Sequence, residues 1–237
     1  MYFRDRDDAG EKLAHRLAYL QDTGAVVLAL PRGGVVLGAI IARSLRAPLG
    51  LILVRKISHP ANEEYAIGAI AENDPPLYNN GDMTAIDHDW LTHAETAARE
   101  LIQSRRALYY GNDFTPPTIL HKTVVVVDDG MATGLTMEAA IASVLRHKPK
   151  RTIVAVPVAS HDSITLISRL VDEVIVLDNP DLFLGAVVAH YQLFEQVNDD
   201  EVTRLLREVH YDLQQTTTTG AGAFTPRSND HFSQKSK

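Results

Sequence analysis

The chain has no cysteine, which excludes disulfides, thiolate nucleophiles and cysteine-based zinc sites and suits a reducing compartment. It has no excess of basic residues either. Twenty-three Lys and Arg face 30 Asp and Glu, for a net charge of -7 and a pI near 5.8, so no basic field exists for a polyanion such as nucleic acid. Long apolar runs are missing: residues 24–31 and 123–127 fall far short of the ~18 to 20 needed to span a bilayer. Residues 1–10 hold five charges where a signal peptide would be apolar. Neither a membrane nor a nucleic-acid partner is expected, and a soluble cytoplasmic chain is. No internal repeat is visible. What the chain does have is 237 residues at 45% hydrophobic and 22% charged, enough for a sizeable core and against wholesale disorder. A few well-placed N–H groups and cations can still hold a small anion against the global charge.

Continuous apolar runs at 25–30, 51–54, 124–127, 152–156 and 173–177 read as strands covered on both faces. Helical patterns lie between them at 35–45, 138–147 and 162–170. Alternating strands and helices predict an α/β fold with a doubly wound, mainly parallel sheet. Two segments break the rhythm. Lys56 to Asn80 carries Pro60, Gly68, Pro75 and Pro76 around a strand-like stretch at 65–71 and reads as a flap or hairpin, with its body at about 57–80. An amphipathic pattern over 84–110, with Trp90, Ala94, Ala97, Leu101 and Leu108 near one face, predicts a long inserted helix ending at Gly111. Residues 1–213 form the expected domain. Residues 214–237, with four consecutive Thr followed by Gly, Ser, Asn and Gln, read as a disordered tail.

The segment richest in chemistry is Val124 to Thr136, a buried strand ending in Asp128 and Asp129 and turning through a Gly- and Thr-containing loop into a helix. N–H groups of Met131, Ala132, Thr133, Gly134 and Leu135, with the hydroxyls of Thr133 and Thr136, can surround a phosphate at the helix N-terminus, where the macrodipole favours an anion. Gly130 and Gly134 let the backbone come close. Two carboxylates repel a phosphate, so Asp128 and Asp129 suit donors or a cation, and vicinal ribose hydroxyls fit. An ordinary strand-loop-helix turn with Asp129 as a cap is the plainer alternative. A Walker loop is excluded, because no Gly-Lys-Ser/Thr occurs here. Pro31-Arg-Gly-Gly34 is by itself weak evidence for phosphate binding, since such turns commonly just reverse a strand into a helix. Arg55 and Lys56 at a strand end read alone as solvated charges; beside a second anion loop they become diphosphate ligands. Glu63 and Glu64 are either a solvated loop or groups that meet a metal or an incoming nucleophile. Asp87, His88, Asp89 and His93 are better read as capping or solvated than as a metal site. Arg105, Arg106, Tyr109 and Tyr110 either reach the site or anchor the long helix.

Residues 128–136 resemble the phosphoribosyl pyrophosphate (PRPP) signature of type I phosphoribosyltransferases, in the version closest to adenine phosphoribosyltransferases. Leu28 to Val35 then resembles that family's diphosphate loop, whose backbone N–H groups, often around a cis peptide, bind the leaving group, with Pro31, Arg32, Gly33 and Gly34 at its turn. Val54-Arg-Lys-Ile57 resembles the Arg-Lys pair that opens the mobile flap. Residues 3–10, 31–34, 62–69 and 196–202 together resemble a subgroup of bacterial and archaeal phosphoribosyltransferases of unassigned substrate; this subgroup usually has Gly where Val188 stands. The resemblance covers about residues 2–209. It implies a type I fold with a small hood at about 178–198, a homodimer, and magnesium carried by PRPP, reaching Asp128 and Asp129 at most through water.

The function this implies is transfer of phosphoribose from PRPP to a nitrogen nucleophile, a nucleobase or related heterocycle, with release of diphosphate. Asp128, Asp129, Lys56, Glu63 and Glu64 are its candidate catalytic residues. Relatives in purine salvage that carry a carboxylate base in the phosphate loop have it at the position of Ala132, so a base here must come from elsewhere, and Glu63 or Glu64 is the best candidate. The alternative is a non-catalytic sensor that binds PRPP or a nucleotide in the same pocket.

Overall fold

The computed structural model describes residues 2–72, 74–78, 86–111, 114–179 and 183–220. Its helices are α1 (Arg6–Arg16), α2 (Gly33–Leu45), α3 (His88–Tyr110), α4 (Leu135–Arg146), α5 (His161–Ile167) and α6 (Asp199–Gly220). Its strands are β1 (Val26–Ala29), β2 (Leu49–Leu51), β3 (Val54–His59), β4 (Asn62–Ala71), β5 (Leu77–Tyr78), β6 (Thr123–Val127), β7 (Arg151–Val158) and β8 (Glu173–Asp178). Five strands form a sheet in the order β2-β1-β6-β7-β8, and every pairing in it is parallel. The continuous valine runs follow from that position. Val27, Val125 and Val127 join one core with Leu13, Leu37, Ile41 and Leu206, while Val26, Val124 and Val126 face the opposite core with Met137, Ile141 and Val144. Alternate residues thus serve two apolar layers, as a sheet covered on both faces requires. No helix among the described residues is long and apolar enough to cross a membrane.

Expected and observed strands agree closely except at 51–54. The main-sheet strand β2 ends at Leu51, and Val54 pairs instead with Ala71 in a separate antiparallel sheet, β3-β4-β5. Antiparallel pairing with β4 captures Val54 to His59, so Arg55 and Lys56 sit at the base of the flap hairpin. The residues expected to form one short strand at 65–71 form the longer β4.

Two helices were not expected from sequence. In α1, Ala9, Leu13 and Ala14 are buried, and Asp5 caps its N-terminus by accepting from the Asp8 N–H at 2.8 Å. In α6, Val202, Leu205, Leu206 and Val209 are buried, at the spacing of one helix face. This helix corrects the tail boundary: it continues from Gln214 to Gly220, with Gln214 and Gln215 bonded to His210 and Tyr211 one turn back. Local i,i+4 bonds extend a helix already seated on the core. Residues 221–237 lie outside the described residues.

The inserted helix α3 starts after Asp87, whose carboxylate accepts from the Trp90 N–H at 2.8 Å, and ends at Gly111; residues 84–85 lie outside the described residues. Its C-terminal end is anchored. The Leu51 N–H donates to the Tyr110 hydroxyl at 2.7 Å, and Tyr109 donates to Asp199 at the start of α6. Arg106 pairs with Glu72 at 3.0 Å. The segment expected to form a hood is tied to the N-terminus. Phe3 N–H donates to His190 C=O at 2.9 Å, and Gln192 and Leu193 N–H donate to Phe3 and Arg4 C=O at 2.8 Å. An N-terminal strap is therefore laced to the segment around Val187–His190.

Candidate active site

Strands β1 and β6 are neighbours, but the chain leaves β1 toward β2 on one side and β6 toward β7 on the other. Such a switch in strand order marks the crevice outside the carboxyl ends as the usual ligand position. The two glycine-bearing loops meet there. A Cβ built on Gly33 would lie 1.8 Å from Asp129 Oδ2, and one on Gly34 would lie 2.9 Å from Asp128 Cα. Only hydrogen fits there. The Pro31–Arg32 peptide is cis. The Arg32 side chain turns away toward Asp199, 3.8 Å from it, so at this turn Arg32 offers its backbone. No side chain caps α2, and Val35 is the first amide of the turn with an acceptor, Arg32 C=O at 3.2 Å. Among the described residues, the N–H groups of Arg32, Gly33 and Gly34 are free to meet an anion.

The second loop requires one correction. The Met131 N–H donates to Val158 C=O at 2.9 Å and the Met131 side chain is buried, so Met131 is no phosphate donor. After the break at residues 128–130, Met131 forms an isolated parallel bridge with Ala159. Beyond it, Gly134 at φ +79° opens α4 with no side-chain cap. The amides of Ala132, Thr133, Gly134, Leu135 and Thr136 have no protein acceptor among the described residues. Thr133 is exposed and Thr136 half-buried, whereas the Leu135 side chain packs against Ala69 of the flap. The loop is held from behind by Ser160, which caps α5 and donates to Ala132 C=O at 2.6 Å, and by Ser163, which donates to Met131 C=O at 3.2 Å.

Asp128 and Asp129 lie between these loops. Asp128 Oδ1 accepts from the Asp129 N–H at 2.8 Å. Burial, then the adjacent Asp129 charge, push the Asp128 carboxyl well above the ordinary carboxylate range; Lys56 and Arg6 pull the other way. Burial also raises Asp129, against Arg6. Arg6 is a site residue that sequence reasoning left without a role. Its Nε and Nη2 both lie 2.8 Å from Asp129 Oδ2, Nη1 donates to Glu195 C=O at 2.6 Å, and its guanidinium sits 3.7 Å over the Phe194 ring. Tyr191 is the second omission: its hydroxyl donates to Asp129 C=O at 2.6 Å, and burial raises its pKa. The available signal was residues 3–10, a segment marked by resemblance alone. Gly130 backs onto Val187 of the hood. Val188, the departure from the subgroup pattern, is 49% exposed and so perturbs nothing inside.

Lys56, exposed on β3, is close enough to influence Asp128. Arg55 lines a groove of about 700 Å³ with Lys56, His59 and, across it, Trp90 and Ala94 of α3. Arg105 joins Pro31 and Arg55 around a small neighbouring cavity, while Arg106, Tyr109 and Tyr110 are committed to anchoring. Glu63 and Glu64 fall on β4, and their side chains lie outside the described residues. Asp87 is a helix cap, and no group of three or more His, Asp or Glu among the described residues could hold a metal unaided.

Comparison with known proteins agrees with this geometry. Residues 6–192 match the family model of the phosphoribosyl transferase domain. Two Mycobacterium tuberculosis proteins, from strains H37Rv and CDC 1551 and each provisionally named a phosphoribosyl transferase, are 38% identical over 227 residues. The match takes in 94% of this chain and 51% of each relative, so the chain spans about half their length. The crystal structure of TT1426 from Thermus thermophilus is 38% identical and superposes with a TM-score of 0.74 over 88% of this chain and 99% of that one. With an α/β parallel sheet of the type I phosphoribosyltransferase kind and a family match across its whole crevice, this chain belongs to the phosphoribosyl transferase domain family.

Proposed function

We propose that the protein is a magnesium-dependent transferase that displaces diphosphate from C1 of PRPP with a nitrogen nucleophile, a nucleobase or related heterocycle. One observation carries the reading: two uncapped helix starts follow loops that meet at the acidic pair, one at Gly33, packed against Asp129, and one at Gly134, five residues beyond Asp129 in the chain. Two anion cradles separated by acceptors for hydroxyl donors match a sugar phosphorylated at both ends. In this reading the 5-phosphate takes the amides of Ala132 to Thr136, and Asp128 and Asp129 orient the ribose hydroxyls. The diphosphate takes the amides of Arg32, Gly33 and Gly34, with Arg55 and Lys56 supplying charge.

Departure of diphosphate leaves an oxocarbenium-like ribose. The chain's tasks are to fix the sugar, hold the leaving group and exclude water, the last falling to the β3-β4 hairpin as it closes. Magnesium fits this donor set: Asp128 is half-buried beside a second carboxylate, which favours a nearby cation, yet the cluster is too small to cage one without phosphate and water. When bound with PRPP, the ion would offset charge on the departing diphosphate. Proton removal from the acceptor falls to Glu63 or Glu64 on the flap.

The test is diphosphate release from PRPP and magnesium across a panel of purines, pyrimidines and other nitrogen heterocycles. Acceptor-dependent release, lowered about 100-fold or more in Glu63→Gln with Glu64→Gln, supports the full reading. Release unchanged in that variant removes the base assignment alone. Tight PRPP binding without release for any acceptor replaces the transferase with a sensor.

A further inference from the structure

We infer that Arg6 is a positioning residue that keeps the Asp129 carboxylate from acting as an internal anion in the diphosphate cradle. The inference rests on the reading above. Asp129 Oδ2 lies so close to the start of α2 that a Gly33 Cβ would be 1.8 Å from it and 2.7 Å from Asp129 Cγ. The free amides of Gly33 and Gly34 and the positive end of the helix dipole therefore attract two anions, the diphosphate and Asp129 itself. An uncompensated carboxylate there would repel the ligand and compete for its donors.

Arg6 resolves the conflict. Both Nε and Nη2 lie 2.8 Å from the same Oδ2, and the Arg6 and Asp129 side chains are only 11% and 16% exposed, so solvent screens the pair weakly. The guanidinium is held in place without help from Asp129, by the Phe194 ring at 3.7 Å and the Glu195 carbonyl at 2.6 Å. Its position is set by the strap that laces residues 3–4 to the hood. The charge balance of the diphosphate cradle thus depends on docking of the N-terminal strap, far in sequence from either loop.

The test is calorimetric binding of inorganic diphosphate without magnesium, which removes metal contacts from the comparison. Arg6→Gln should weaken diphosphate binding by about 30-fold or more, because Asp129 is left as an unpaired anion beside the site. Adding Asp129→Asn to that variant should restore much of the loss. Loss of a merely structural arginine would not be rescued by neutralising its partner. Asp129→Asn alone, which keeps Arg6 on Phe194 and Glu195, should bind diphosphate at least as tightly as the native protein, and it tests the idea even if Arg6→Gln fails to fold. Native-like binding by Arg6→Gln, no rescue in the double variant, or weaker diphosphate binding by Asp129→Asn would each overturn the inference while leaving the proposed function standing. Failure of the native protein to bind either PRPP with magnesium or diphosphate would overturn both.

Discussion

Replacing Gly33 by alanine is the sharpest small perturbation of the site. The added methyl would stand 1.8 Å from Asp129 Oδ2, 2.7 Å from Asp129 Cγ and 2.9 Å from Arg6 Nε, whereas unbonded heavy atoms settle at about 3.5 to 4.0 Å. The Asp129 carboxylate must move by well over an ångström and leave the 2.8 Å bonds to Arg6. Breaking a mostly buried ion pair costs about 3 kcal/mol or more. Alanine in place of glycine within a helix returns about 1 kcal/mol, and Gly33 carries no positive φ that would oppose it. The net loss is about 2 kcal/mol, a fall in Tm of ~4 to 8 °C for a chain of this size. The assay is differential scanning calorimetry with and without PRPP and magnesium. Gly33→Ala should melt lower and lose the ligand-induced shift, since the displaced carboxylate no longer orients the ribose. A variant that melts within about 1 °C of the native protein and responds normally to PRPP would refute the contact between the two loops.

Two further outcomes follow from buried polar groups. Asp128 has a folded-state pKa above its unfolded one, so between those values the folded protein holds a proton that the unfolded chain releases; the contribution of Asp128 to stability is greatest at low pH and declines as pH rises through that window. Asp128→Asn should flatten this decline in a series of melts against pH and raise Tm at pH 7 while weakening PRPP binding; a lower Tm at pH 7 would contradict the burial argument. Tyr110→Phe leaves the buried Leu51 N–H without its acceptor, a loss of about 1 to 2 kcal/mol. Its Tm should fall by ~2 to 8 °C with the PRPP-induced shift unchanged.

The sheet was legible in the sequence because strands buried on both faces leave continuous Val and Ile runs, and β6 to β8 fall where those runs lie. The break at Val54 was not, because only pairing with Ala71 across the hairpin decides which sheet takes that residue. Helices α1 and α6 carry ordinary apolar periodicity, Leu13 with Leu17 and Val202 with Leu205, Leu206 and Val209, but dense surface charge masks it. Of the site, the acidic pair and the glycine loop after it lay in one local motif and could be read directly, whereas the Pro31–Gly34 turn is too common a strand-to-helix reversal and was marked only through the resemblance. Arg6 and Tyr191 could not, since their roles arise from contacts across 123 and 62 residues of chain. Met131 was misassigned because the loop motif does not reveal that its N–H is taken by Val158 C=O, in an isolated bridge four residues beyond β6.

The central claim is that the crevice between the β1 and β6 loops binds PRPP with magnesium, and thermal unfolding tests it most directly. At a ligand concentration about 100 times the dissociation constant, binding adds ~2.7 kcal/mol, which raises Tm by roughly 5 to 11 °C for a domain of this size. The account predicts that shift in the native protein and its loss in a folded variant carrying Asp128→Asn and Asp129→Asn. No shift at millimolar PRPP and magnesium, or an undiminished shift in the double variant, would contradict it.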